Sequence, residues 1–241
     1  MPHLAWWQWA LGSLAAYMIG IAKTGAPGVG TLMVPLMVLT TGDARRAAGW
    51  TLPILSTADI FAVIYWRRHA DAKKLFSMIP WTLAGMVVGA IALSLSEPVI
   101  RRMIASILLL MLAIQLYRRW FSARPAPGKA GFYGVLTGFA TTVANAAGPV
   151  MNLFLLSQRL PKEQFVATGA WFFFVVNLTK APIYAWYHLF SRTSLTFNLM
   201  MAPLAIAGAY TGSWLVRRIS QSLFETLVLV LTALCSLALF F

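Results

Sequence analysis

Three ionisable residues, Lys23, Asp59 and Lys180, stand inside long apolar stretches of the chain. A charge at the centre of a membrane helix costs about 2.5 to 3.5 kcal/mol on insertion scales, so a functional role is the first reading of each. Lys23 opens the string Lys23-Thr24-Gly25-Ala26-Pro27-Gly28, and a comparable string, Thr141-Thr142-Val143-Ala144-Asn145-Ala146-Ala147-Gly148-Pro149, occupies the matching place in the second half. Gly and Pro in an apolar run favour a break, and Pro27 and Pro149 suit the first turn of a new helix. Those new helices are expected to run to about Thr40 and about Gln158. A helix that starts inside the membrane directs free N–H groups and about half a positive charge at the break, which is the chemistry of an anion site. Lys23, Thr24, Gly25, Pro27 and Gly28 are therefore candidate substrate ligands at the first break, and Thr142, Asn145 and Gly148 at the second. Asn177 stands one helical turn before Lys180, faces the same side, and can donate hydrogen bonds to a substrate oxygen, so Asn177 and Lys180 are further candidate substrate ligands.

Each of these residues also has a plainer reading. The breaks can be kinks or close-packing glycines, both common in membrane helices. Lys23 can cap the C-terminal end of the preceding helix, where a cation is favourable. Asp59 and Lys180 fall within one position of each other after a shift of 120 residues, and can be a buried structural pair that fixes the packing of two halves. The sharper reading of Asp59 is a proton acceptor during transport. His69, in the charged stretch Arg67-Arg-His-Ala-Asp71, reads as solvated, and His3 and His188 as interfacial. Trp171-Phe-Phe-Phe174 reads as packing or lipid contact, and Trp6, Trp7 and Trp9 as an interfacial belt. No metal triad, nucleotide loop or nucleophile with a base is visible, so neither cofactor nor metal nor enzymatic activity is expected. Cys235 is the only cysteine, which excludes an intramolecular disulfide.

The elements that must carry these residues are membrane helices. The chain is 60% hydrophobic and 10% charged, with a mean hydropathy of +0.75, and cannot build a water-exposed surface. Uncharged runs at Leu4 to Ala22, Thr24 to Gly42, Leu75 to Ser96, Ala130 to Gln158 and Thr193 to Val216 each suffice to cross about 30 Å of hydrocarbon. Weaker spans run about Ala44 to Trp66, Glu97 to Tyr117, Glu163 to Phe190 and Gln221 to Phe241. None alternates apolar and polar residues as a transmembrane barrel would, so the fold class is an all-α polytopic bundle of about eight crossings. The net charge of +13 sits in short clusters between the runs, as is ordinary in a membrane protein, and does not point to nucleic acid. Met1 to His3 carries no Lys or Arg before the first apolar run, so that helix is expected to be retained.

Shifting the chain by 120 residues places Gly28 on Gly148, Ala47 on Ala167, Gly49 on Gly169 and Trp66 on Trp186. A three-residue insertion then brings Pro80 onto Pro203, Gly85 onto Gly208 and Gly89 onto Gly212. The chain thus reads as two homologous repeats, 1–122 and 130–241, joined by a basic Pro-rich linker at 123–129, with a broken helix at the start of each repeat. Paired breaks of this kind point to a transporter's binding site near the midplane. If each broken segment crosses once, both termini lie on one side, with nine basic residues there and eight on the other. The two longest basic loops then lean slightly toward cytoplasmic termini. If each break is instead re-entrant or an additional crossing, the two halves can be inverted.

The stretch Ala22-Lys-Thr-Gly-Ala-Pro-Gly-Val-Gly-Thr-Leu-Met-Val-Pro-Leu-Met37 resembles the first signature of the sulfite exporter TauE/SafE family. Asp59 to Asp71, Gly138 to Pro149 and Leu160 to Phe174 look like one branch of it, and the similarity covers nearly the whole chain. The run of adjacent glycines found at the first break of many members is interrupted here by Pro27 and Val29. The resemblance implies export or passage of sulfite or a small organosulfonate-like anion. The expectation is therefore a multi-pass transporter of the cell inner membrane, with a small anion and the lipid bilayer as partners and with room for a homo-oligomer. A passive channel would show flux without saturation or coupling, an assembly protein would show none, and a membrane enzyme lacks a catalytic constellation.

Overall fold

In hydrocarbon every backbone N–H and C=O must be satisfied within its own segment, so apolar runs of this kind fold as helices. A computed structural model describes residues 4–25, 29–92, 129–145 and 147–240, with the single positions 109 and 113. The described elements are all helices: α1 (Trp6–Thr24), α2 (Val29–Thr41), α3 (Ala44–Trp66), α4 (Ala72–Ala92), α5 (Ala130–Ala144), α6 (Ala147–Ser157), α7 (Lys162–Trp186), α8 (Arg192–Arg218) and α9 (Gln221–Phe240). Four of them, α3 from Arg46 onward, α4, α7 and α8, are long and apolar enough to cross a membrane. Pro27 and Gly28, most of the linker and, apart from positions 109 and 113, the span expected at Glu97 to Tyr117 lie outside the described residues.

Helix starts follow local capping chemistry. Asp43 accepts a hydrogen bond from the Arg46 N–H at 2.7 Å, and Ser191 from the Ser194 N–H at 3.0 Å. Asp71 plays the same part for α4 through the Lys74 N–H at 3.1 Å. Pro53, Pro80, Pro182 and Pro203 lie inside helices, where membrane helices tolerate the lost hydrogen bond because neighbours re-satisfy the freed carbonyl.

The broken segments do not each make one crossing. Gln8 Nε2 near the start of α1 donates to the Thr40 carbonyl near the end of α2 at 3.0 Å, and Ala15, Ala16 and Ile19 pack with Met33 and Met37. α2 therefore folds back along α1 as a helical hairpin. α5 and α6 do the same, with the Tyr133 and Phe154 rings tilted against each other at 5.6 Å and Ala140 packed with Val150 and Leu153. The sequence could not choose between crossing and folding back, because a Gly and Pro break permits either.

Two intimate pairings fasten each hairpin to a helix from the other half. α1 runs parallel to α8, and α4 parallel to α5. Both pairings use small residues in the spacing that lets backbones approach closely. Gly20 faces the backbone of Ala205 and Gly208, Gly25 that of Gly212, and across the second pair Gly85 faces Val135 while Gly138 faces Thr82. A side-chain carbon at any of these positions would overlap a backbone atom. α3 and α7 cross antiparallel in the middle, Gly49 lying against Leu189 and Asp59 against Asn177. It follows that α1, α3 and α8 point one way and α4, α5 and α7 the other. One apolar core, with Trp9, Met37, Trp50 and Phe197, fills the end where α1 starts. A second, with Trp66, Met78, Phe154, Phe165 and Phe224, fills the end where α5 starts.

Candidate functional site

Between these two cores the hairpin tips converge. α1 ends as the Gly25 N–H closes on the Ile21 carbonyl at 2.8 Å. α5 ends at Asn145, whose φ of 52° is left-handed, a conformation Asn tolerates better than most residues. Lys23, in the last turn of α1, places Nζ 2.7 Å from Asp59 Oδ1 and 4.2 Å from the centroid of the Phe173 ring. Asp59 is wholly buried on α3. Its Oδ2 accepts from Asn177 Nδ2 of α7 at 2.6 Å, whereas Oδ1 meets the ammonium without the alignment of a hydrogen bond, so charge holds that contact.

One turn further along α7, the buried Lys180 donates to Asn145 Oδ1 at 2.5 Å, Thr141 Oγ1 at 3.1 Å and the Thr141 carbonyl at 3.4 Å. Three donors thus meet three acceptors. Tyr184 hydroxyl adds contacts to the Thr142 carbonyl at 3.3 Å and to Asn145 Oδ1 at 3.5 Å, while Asn145 Nδ2 reaches the Ala48 carbonyl at 3.5 Å. The Asn145 tip is in this way tied to α7 and α3 together. Around the tips the formal charges are the ammonium groups of Lys23, slightly exposed, and Lys180, buried, and the carboxylate of Asp59, a net of one positive charge.

A cavity of about 80 Å³ opens between the tips, with Lys23, Asn145, Gly148, Asn152 and Asn177 as its polar edge and Phe165 and Phe173 among its apolar walls. At about 10 to 15 Å³ per water-sized occupant, that is room for roughly five to eight non-hydrogen atoms. Lys23, Asp59, Asn145, Gly148, Asn177 and Lys180, identified from sequence at scattered positions, are therefore brought to one place. Others are turned elsewhere. Thr24 donates to the Gly20 and Ala209 carbonyls, at 3.2 and 2.5 Å, within the contact between α1 and α8, and Gly25 packs on Gly212 there. Thr142 spends its hydroxyl on the Gly138 carbonyl of its own helix at 2.9 Å. These three serve backbone packing, because a buried hydroxyl bonds the nearest carbonyl and a glycine admits a neighbouring backbone. Asp59 is partnered by Lys23 rather than by Lys180, as the pair reading had it. Among the described residues no cluster of three His, Cys, Asp or Glu could hold a metal ion.

Thr141, Asn152 and Tyr184 escaped the sequence reading. The signal for Asn152 was present: a lone amide within the apolar Val150-Met-Asn-Leu-Phe154, where an unpartnered polar group is costly.

Apolar helices long enough to cross a membrane, and two hairpins whose described ends converge on a cavity edged by charged and amide side chains, define a polytopic membrane protein. The chain belongs to the sulfite exporter TauE/SafE family, whose sequence model matches residues 10–239. No curated protein and no solved structure matches it. Family membership makes this a membrane transporter for sulfur-containing anions.

Proposed function

We propose that the protein exports a small sulfur oxyanion, sulfite or a short organosulfonate, across the cell inner membrane, holding it in the cavity between the two hairpin tips. The observation that carries this reading is the Lys23 ammonium: it edges a small cavity, and among the described residues its counter-charge is the buried Asp59. An anion entering the cavity competes with Asp59 for Lys23. In a poorly solvated site that competition is steep, because opposite charges attract far more strongly there than in water. Protonation of Asp59 removes the competitor and raises the local charge from one positive to two, so proton uptake and anion binding favour each other. Asp59 is on this reading the coupling residue, Lys23 the principal ligand, and Asn145, Asn177 and the backbone at Gly148 the neutral donors. Lys180 holds the second tip and adds positive potential.

The reading extends to the architecture, with 1–122 and 130–241 as two repeats inverted with respect to each other. Support comes from the helix ends: α1 and α5 stop at Thr24 and Ala144, α3 and α7 at Trp66 and Trp186, in each case 120 residues apart. The opposed directions of α1 and α5, and of α3 and α7, suit such an inversion. Inversion gives each hairpin tip its own face of the membrane from which to open.

Reconstituted flux is the test. Liposomes carrying the protein should take up sulfite or sulfoacetate with saturation, and faster under a pH gradient. Lys23→Gln should weaken binding by about tenfold to a hundredfold, the worth of a charge-assisted hydrogen bond. Non-saturating flux indifferent to a pH gradient would identify a channel, and no flux for any oxyanion an assembly protein.

A further inference from the structure

Asn152 is the one polar side chain on the cavity edge that the sequence reading did not assign and that has an idle donor. It lies on α6, the returning arm of the second hairpin, with 3% of its surface exposed. Its Nδ2 has no hydrogen-bond partner, although the residue lines the cavity beside Lys23 and Asn145. A buried amide left without a partner costs about 1 to 3 kcal/mol, and a fold keeps such a group when a ligand satisfies it. The neighbouring amides differ: Asn177 Nδ2 is engaged by Asp59, and Asn145 is engaged by Lys180, Tyr184 and the Ala48 carbonyl.

We propose that Asn152 is a substrate-contacting residue that selects oxyanions, its amide N–H groups donating to one oxygen of an anion whose charge is held by Lys23. The inference rests on the cavity being the substrate site. Two donors approaching from different helices, one an ammonium on α1 and one an amide on α6, suit an anion whose acceptors are spread over several oxygens. A halide presents a single centre and has no second oxygen for the amide to take. The binding site is then completed jointly by the two hairpins, one giving charge and the other geometry.

The experiment uses full-length purified protein, sulfite and chloride as probes, and melting temperature beside affinity. Asn152→Leu keeps the branched four-atom shape, somewhat enlarged, and removes the donor. Sulfite affinity should fall by about tenfold to a hundredfold, chloride affinity should hold, and the melting temperature should stay level or rise as an unsatisfied buried amide disappears. Unchanged sulfite affinity overturns the proposal. If Asn152→Leu folds poorly, Asn152→Ser decides instead: its shorter donor should keep only part of the preference for sulfite over chloride, and a serine variant that melts like wild type and keeps the full wild-type preference also overturns it. Wild-type protein that binds no oxyanion removes the substrate site itself, and this inference with it. Wild-type binding with an unaffected leucine variant removes only the role of Asn152.

Discussion

The first hairpin reaches the centre carrying its own cation, Lys23, and meets a carboxylate there; the second arrives with a neutral amide, Asn145, and meets a cation on α7. Both tips are thus fastened to the third long helix of their own half, but by different chemistry. An ion pair can be undone by a proton, since protonating Asp59 removes its charge. The contact between Lys180 and Asn145 offers no carboxylate to protonate. Under the proposed function, two tips on a scaffold of similar shape would therefore differ in their triggers, because only the first is held by a carboxylate that a proton can neutralise. This is what a coupled carrier needs, because a ligand shifts a conformational equilibrium only by its differential affinity for the two states.

The largest effect expected of this comparison is all-or-none. If the hairpins enter from opposite faces, His69, exposed beyond α3, and Thr193, exposed at the start of α8, lie on opposite sides of the membrane. The described basic residues at the His69 end are Arg67, Arg68, Lys73, Lys74, Lys129, Arg159, Lys162, Arg217 and Arg218, against Arg45, Arg46 and Arg192 at the other. By the excess of basic residues on cytoplasmic loops, nine against three among the described residues predicts a cytoplasmic His69 end. With Cys235→Ser as background, an impermeant maleimide should label Thr193→Cys in intact spheroplasts and His69→Cys only after permeabilisation. Labelling of both in intact spheroplasts would end the idea of opposed hairpins, and the reverse pattern would invert the orientation.

Next in size is the ion pair. Asp59→Leu strands a buried ammonium, which costs about 3 to 5 kcal/mol, and the double variant with Lys23→Met should recover most of the lost melting temperature. Asp59→Asn, which keeps the size and a hydrogen-bonding group, should retain anion binding but lose stimulation of flux by a pH gradient. Stimulation that survives in well-folded Asp59→Asn protein would leave both tips without a proton trigger. Lys180→Met should cost less, about 1 to 3 kcal/mol, because it leaves neutral acceptors unpaired rather than a charge. Equal losses for Asp59→Leu and Lys180→Met, measured as melting temperatures in detergent, would erase the difference between the tips.

Sequence reading went far along the chain and little across it. Helix limits such as Ala44 to Trp66 were legible because Asp43 can cap and Arg67 and Arg68 must leave the membrane. The breaks were legible because Gly and Pro act locally. Partner choice was not: Lys23 and Asp59 are 36 residues apart and Asp59 and Lys180 are 121 apart, and helical spacing fixes the face of a helix without fixing what that face meets. Thr24 and Thr142 illustrate the same limit, since a hydroxyl beside a break serves a ligand or a nearby carbonyl equally well, and packing against Ala209 or the turn at Gly138 decided it.

The smallest effect belongs to the same pair of residue types placed in water. Asp71 and Lys74 meet at 3.0 Å at the start of α4, both partly exposed, and so supply the solvated counterpart of Asp59 and Lys23. The Lys74 side-chain hydrogen bond, opposed by slight burial and helped by the Lys74 backbone N–H, holds the Asp71 carboxyl below its ordinary range. A carboxyl depressed on folding stabilises the protein at pH above the unfolded value of about 3.9, and that contribution is lost as pH falls through the folded value. At neutral pH it is fully present, yet exposed pairs contribute only about 0.2 to 1 kcal/mol and are screened by salt. Asp71→Asn also keeps a capping side chain, since Asn serves the Lys74 N–H about as well as Asp. The variant should therefore melt within a few degrees of wild type, the gap should narrow in high salt, and it should close at pH values acid enough to protonate Asp71 in the folded protein. Flux and its pH response should be unchanged. A loss as large as that of Asp59→Leu would mean that burial is not what distinguishes the central pair, and the proton trigger assigned to the first hairpin would lose its physical basis.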